Sequence, residues 1–316
     1  MNEDYLWNRS GPPDPEIEHL EHLLRPLRHR APRPRPKPYP ALVAAAALLL
    51  AAAALWRFAA APAVPAAWQI ASVEGSALLG TRAAAPAMPL RPGETLRTTA
   101  DARLELEDDA LGRIELGPDS EMRATAGSRV ALDRGRLRAF IWAPPRQFVL
   151  DTPSARAVDL GCQYTMEVTP SGDGLLTVTF GWVAFDFHGR ESFIPAGARC
   201  TTRRGSGPGI PVFDDAPAAL QDSLARFERG DAAALPAILA AARPRDSLTL
   251  WHLLTRVPPP ARAAVYDRFA ALVPLPVAAA RDRVLRADPA AIDECWNALQ
   301  LENTGWWRGW ERPWQR

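Results

Sequence analysis

The sequence lacks an excess of either charge: 37 Lys and Arg stand against 36 Asp and Glu over 316 residues. A net charge near zero creates no global field for a nucleic acid, so nothing in the bulk composition points to one. Cysteine is scarce, with only Cys162, Cys200 and Cys295. Histidine is nearly as scarce. His19 and His22 are three apart and could share a helix face, but a zinc site usually takes four ligands and no cysteine lies near them. A solvated helix face is the plainer reading. His188 and His252 are isolated in the sequence. No Gly-x-Ser-x-Gly elbow is present. Gly205-Ser206-Gly207-Pro208-Gly209 lacks the Lys-Ser/Thr pair that a phosphate loop needs, and reads as a flexible connection after the last strand. Asp108-Asp109 and Asp214-Asp215 do not match a calcium loop; they read as a hairpin turn and a helix cap. No local motif joins a nucleophile, a base and an orienting group. The chain therefore reads as a non-enzyme with no cofactor or metal, and an enzyme with a site built from distant residues is the weakest alternative.

What is present begins with an uninterrupted apolar run, Ala41 to Trp56, preceded by Arg25, Arg28, Arg30, Arg33, Arg35 and Lys37. A helix without a polar stripe cannot lie half-buried on a soluble core. Spanning a bilayer takes roughly 20 apolar residues, and the flanks extend the run to a transmembrane helix over 39–58. Alanine contributes little, so Leu42, Val43, Leu48, Leu49, Leu50 and Leu55 must drive insertion. The cations before the run place the N-terminus in the cytoplasm and the rest outside. A cleaved signal peptide and a buried soluble helix are the competing readings. A leading segment of about 40 residues is long for the first.

The chain then divides by pattern. Residues 1–38 form a cytoplasmic segment. Asp14-Pro15-Glu16 starts a helix, and Ile17, Leu20, Leu23, Leu24 and Leu27 recur at helical spacing to about residue 29. Such a helix is too short to be stable alone in water, so its stripe needs a partner protein, a second copy or a membrane surface. Residues 59–67 form a linker. Residues 68–213 alternate apolar and polar side chains in short stretches between Gly, Pro and Asp turns. That pattern predicts a mainly β domain, solenoid-like or sandwich-like. Residues 215–301 change to helical spacing and predict five or six short helices in hairpins, with Asp215, Asp231 and Asp246 as starts. Residues 302–316 are a tail in which Trp306, Trp307, Trp310 and Trp314 sit among arginines. The tail can pack back onto the helices, meet a membrane interface or anchor a partner. Outside the cytoplasm a Cys162–Cys200 disulfide is permitted; three buried thiols are the alternative.

An ordered series of motifs covers roughly residues 70–200. It runs Gly93-Glu94-Thr95-Leu96-Arg97-Thr98, then Ala102-Arg103-Leu104-Glu105-Leu106. Next come Gly112-Arg113-Ile114-Glu115-Leu116-Gly117-Pro118-Asp119-Ser120 and Val130-Ala131-Leu132-Asp133-Arg134-Gly135-Arg136-Leu137. Phe148-Val149-Leu150-Asp151-Thr152-Pro153 follows, then Gly161-Cys162-Gln163-Tyr164, then Val178-Thr179-Phe180-Gly181-Trp182-Val183-Ala184-Phe185. In order and spacing this resembles the periplasmic domain of the FecR family of transmembrane regulators. The position of Gly161-Cys162-Gln163-Tyr164 is where that family usually has Gly-Thr-x-Phe. The resemblance implies a fold of short strands without catalysis, one span, and a cytoplasmic segment that holds or activates an extracytoplasmic-function (ECF) sigma factor. Two features depart from it: the N-terminal segment is short, and the C-terminal part is helical where ferric-citrate-type regulators end in a small mixed domain.

The expectation is a single-pass inner-membrane signalling protein. Leu20, Leu23, Leu24 and Leu27 would contact the cytoplasmic partner, and Trp306, Trp307 and Trp310 a periplasmic or envelope one. The alternative is a structural or adaptor protein of the envelope that binds another envelope protein or peptidoglycan. Protease shaving of intact spheroplasts should digest the 68–316 body and spare residues 1–38; survival of the body would overturn the topology.

Overall fold

The computed structural model describes residues 15–27 and 68–301. The expected span over 39–58 and the tryptophan tail lie outside the described residues. Among the described residues no helix is long and apolar enough to cross a membrane. The chain forms two compact units, Met1–Pro62 and Ala63–Arg316. The first contributes one described helix, α1 (Pro15–Leu24), followed by a 3-10 turn, Arg25–Leu27. Pro15 opens it at the position where its missing N–H costs nothing, and Glu16 and Glu18 sit in the first turn, where negative charge favours the helix dipole.

The second unit is mainly β and ends in helices. Its strands build two sheets. The first runs β4 (Pro89–Leu90), β1 (Trp68–Glu74), β6 (Arg103–Asp108), β7 (Gly112–Leu116), β9 (Arg129–Ile141), β12 (Gln163–Val168), β13 (Gly174–Phe180) and β16 (Ala198–Arg203). The second runs β3 (Arg82–Ala83), β2 (Ala77–Leu79), β5 (Thr95–Thr98), β8 (Glu121–Ala124), β9 again, β10 (Val149–Asp151), β11 (Arg156–Asp159), β14 (Trp182–Phe187) and β15 (Arg190–Pro195). All of these pairs are antiparallel except β9 with β10. Apart from the edge strands β4 and β3, chain order rises across both sheets, so the architecture has the two faces of a sandwich and the steady advance of a solenoid. Alternation selects the buried face: Leu137, Ala139 and Ile141 of β9, and Tyr164, Met166 and Val168 of β12, point inward. The outward positions of the first sheet carry opposite charges within reach, as in Arg113 with its register partner Glu107 at 2.9 Å and the diagonal Glu105 at 2.6 Å. Such exposed pairs contribute at most about 1 kcal/mol each and form a solvated surface.

The motif Gly117-Pro118-Asp119-Ser120 serves a corner. Strand β9 pairs in the second sheet up to Arg134 and in the first from Gly135 onward. At the switch Gly135 takes a φ of +95°, and an added Cβ would fall on Ser120. Ser120 Oγ accepts the Arg136 N–H at 2.9 Å, the Gly117 N–H donates to Arg136 O at 2.8 Å, and the Thr98 hydroxyl donates to Gly117 O at 2.7 Å. The proline turn and its serine thus satisfy backbone groups that the changing sheet would leave unpaired. Val130–Leu132 and Leu137–Phe140, on either side of Gly135, belong to one strand of 13 residues bent there. A second crossing lies at Gly181, between β13 of the first sheet and β14 of the second. Its φ is +70°, and an added Cβ would fall on the Gly161 carbonyl oxygen.

The segment 205–209 is a packed hairpin, not a loose connection. β17 (Gly207–Pro208) and β18 (Val212–Phe213) both pair with β16. Six α-helices follow among the described residues: α2 (Ala218–Glu228), α3 (Leu235–Ala241), α4 (Ser247–Arg256), α5 (Pro259–Leu272), α6 (Arg281–Leu285) and α7 (Pro289–Ala298). α2 packs on α3, and α4 on α5, as hairpins. Asp231 accepts the Ala233 N–H and starts the turn into α3 as expected. Asp215 caps nothing; it pairs with Arg243 and Arg245. Asp246 precedes α4, but its buried carboxylate turns back to the Arg243 N–H and guanidinium. Asp288 caps α7, accepting from Ala290 and Ala291. One hydrophobic core runs from Trp68 through the strands to Trp296, so strands and helices share an interior.

Gly181→Ala should cost about 3 kcal/mol or more, a left-handed backbone penalty plus a backbone clash. Gly127→Ala, at φ +66° with open space around it, should cost only about 1–2 kcal/mol. Chemical denaturation of both variants checks the order; equal losses would show that the Gly161 contact does not matter.

Candidate functional site

The sequence SLTLWHLL in α4 has no polar face, and every residue from Ser247 to Leu254 is buried. The helix is an internal beam between strands and helices. Its polar groups therefore have to find partners inside. Thr249 Oγ1 donates to Pro211 O at 2.7 Å, and Trp251 Nε1 donates to Ile292 O at 3.0 Å. His252 and Arg256, one turn apart, reach the second sheet. The Phe193 N–H of β15 donates to His252 Nε2 at 3.1 Å, which leaves the ring proton on Nδ1, donated to Leu248 O at 2.9 Å. Burial, helped by the nearby Arg256 charge, lowers the His252 pKa to about 3, so the ring is neutral. Arg256 donates to the carbonyls of Glu191, Pro208 and Gly209 and to Ser192 Oγ. Burial and neighbouring Arg190 lower its pKa to about 10, still high enough to keep the guanidinium charged at neutral pH. Around this joint the Trp296 ring meets Trp251 at 4.9 Å and Phe193 at 5.5 Å edge-to-face, and Trp182 at 5.8 Å at a tilt.

Beside the joint lies a groove of about 890 Å³, where strands and helices meet. Phe180 and Trp182 line it from the strands, Leu248 and Val273 from the helices, and Leu299 and Leu301 from the last described turn. Phe180 is 64% exposed at its mouth. A volume of this size, with mostly apolar walls, is in the range of ligand and peptide sites. Behind Gly161 the wall is held by Asp159. The Asp159 carboxylate takes the Gly161 N–H at 2.7 Å and the Cys162 thiol. Burial raises its pKa to about 7. The neighbouring Tyr164 ring is buried, and its hydroxyl has no hydrogen-bond partner among the described residues.

The residues singled out from the sequence fall in separate places. Leu20, Leu23 and Leu24 are 56%, 58% and 55% exposed on α1, which buries no residue. Leu27 closes the 3-10 turn after it. Trp306, Trp307 and Trp310 lie outside the described residues. The Cys162–Cys200 bridge is not made: both are buried free thiols, as is Cys295. Cys200 is level with Leu176, and Leu176 with Met166, four residues along from Cys162. Two strand spacings and four residues separate the cysteines by roughly 16 Å, well beyond the ~7 Å a disulfide spans. Among the described residues no three His, Cys, Asp or Glu gather as a metal site would. Sequence reasoning set His252 aside as isolated and overlooked Arg256. Their signal was a histidine and an arginine four apart, the ionisable side chains of a helix without a polar face.

No family model and no curated protein matches the chain. Two crystal structures of a proposed anti-sigma factor from Parabacteroides distasonis, at 1.65 and 2.50 Å, are similar to part of it. Identity is 12% and 11%, the TM-score is 0.33 for each, and the match covers 42% of this chain. The chain spans 64% of the length of those proteins. At that TM-score the likeness carries no argument about function.

Two buried groups, Asp159 and His252, act on acid stability in opposite senses. Asp159 has its folded pKa raised above the ordinary 3.8, so its contribution is present below that value and lost as pH rises to about 7. His252 has its folded pKa depressed below the ordinary 6.5, so its contribution is present above that value and lost as pH falls toward 3. The two oppose each other through most of this range. Asp159→Asn removes the first, so thermal melts of the variant should fall more steeply than wild type from pH 7 to pH 4. Parallel curves would show that Asp159 is an ordinary carboxylate in the fold.

Proposed function

We propose that this chain is a single-pass inner-membrane regulator. Its cytoplasmic helix contacts an ECF-type sigma factor or another cytoplasmic regulator, and its β-rich body senses a periplasmic or envelope partner. One observation carries the reading. Leu20, Leu23 and Leu24 share a helical stripe, and all three are exposed on a helix that buries nothing. A helix this short gains little from its own hydrogen bonds, so an apolar stripe on it is accounted for by a groove on another protein. The ordered motifs over residues 70–200 and the apolar run after the basic stretch support the same reading. The mechanism is a partner contact biased from outside, through conformational change or proteolysis.

Residues Leu20 and Leu24 carry the test. Full-length chain should retain an ECF-type sigma factor through co-purification from membranes. The Leu20→Asp, Leu24→Asp double variant should recover at least tenfold less, at equal expression. Equal recovery by both chains, or none by wild type at high concentration, would sink the sigma-factor contact and favour an adaptor role for the body.

A further inference from the structure

We infer that the pocket between β15 and α5 binds a phosphate group, as the free dianion or as a small monoester, held by Arg190, Arg256 and Arg262. This is independent of the contact proposed for α1. Arginines on the outer faces of the sheets hold carboxylates, as Arg97 does with Glu121 and Arg123 with Asp133. Arg190, Arg256 and Arg262 differ. They come from β15, α4 and α5 and line one pocket of about 520 Å³. None of the three forms an ion pair among the described residues. Glu191 is the one carboxylate among the described lining residues.

Backbone carbonyls position the three guanidinia. Arg190 Nε donates to Pro208 O at 2.9 Å, and Arg256 Nη1 donates to the same oxygen at 3.2 Å. Two like charges thus sit side by side on one neutral acceptor. After burial, the Arg190 charge is what most depresses the Arg256 pKa. An anion between them relieves that repulsion. Arg262, 8% exposed, is fixed by Nε on Leu254 O at 2.7 Å and by Nη1 on Leu285 O at 2.8 Å. Nη2 of Arg262 and both terminal nitrogens of Arg190 have no acceptor among the described residues. Arg262 is therefore in place before a ligand arrives, whereas the exposed Arg190 can swing onto one.

The arrangement selects the anion. A planar carboxylate is satisfied by one guanidinium fork, whereas a tetrahedral phosphate accepts from several directions. Three guanidinia against one carboxylate leave two positive charges, which balance a phosphate dianion at neutral pH. The volume is in the range of small-ligand sites and exceeds what phosphate alone fills. A small substituent therefore fits beside it, against Ala287 and Ile292.

The test is calorimetric titration of the full-length chain in a non-ionic detergent, at neutral pH and fixed ionic strength. The probes are inorganic phosphate, glycerol 3-phosphate, acetate and chloride. A phosphate compound should saturate one site at least tenfold more tightly than acetate, and the tighter of the two identifies a free or an esterified source. Arg190→Gln should weaken that binding at least tenfold. Arg190→Lys, which keeps the charge and loses the fork, should weaken it at least threefold. Arg123→Gln, at a paired arginine of the second sheet, should leave it unchanged. Phosphate should also raise the melting temperature of wild type and not that of Arg190→Gln. Phosphate binding no tighter than that of acetate or chloride, or full affinity in Arg190→Gln, would overturn the site.

Discussion

The guanidinium of Arg256 is the interaction on which the body depends. It ties α4 to the Glu191–Ser192 segment of β15 and to the Pro208–Gly209 turn. Burying a charge costs several kcal/mol unless it is hydrogen-bonded, so the Arg256 guanidinium needs these acceptors; the Pro208 and Gly209 carbonyls also accept from Arg190 and Ser192, which knits the turn to the joint. His252, neutral because burial and Arg256 both disfavour its proton, adds a second link to β15 one turn earlier. Strands and helices consequently share one core, although the sequence changes character sharply between them.

The same economy governs the corners. A two-sheet body in which the chain passes repeatedly between faces must bend where the backbone would otherwise lose partners. Gly135 and Gly181 supply the left-handed angles, and Ser120 and Thr98 supply hydrogen bonds at the first bend. The groove is a product of this plan. Strands crossing at Gly181 and helices carried by α4 leave a channel between them, with Phe180 at its lip.

Much of the strand pattern was legible, because period-two alternation is imposed by having one buried face. The alternation over 68–213 predicts short strands, and Leu104–Glu107, Ile114–Leu116 and Tyr164–Val168 lie on such strands. Helix starts were half legible. Asp231 acts as a cap, whereas Asp215 and Asp246 prefer arginines brought near by the fold. The bend in β9, the 205–209 hairpin and the separation of Cys162 from Cys200 were not legible, since each depends on which strands become neighbours. Arg256 was missed for the same reason: its acceptors lie 47 to 65 residues away in sequence.

Local order was therefore determined by the sequence itself. Alternation specified strands, 3.6-residue spacing specified helices, and the exposed leucine stripe of α1 was written in its own spacing. The tertiary structure decided what these elements do together: one core instead of two, a buried charge as its joint, and a groove at the seam. Periodicity reports only which face of an element avoids water, whereas long-range partners are chosen by packing and by the need to pair every buried polar group.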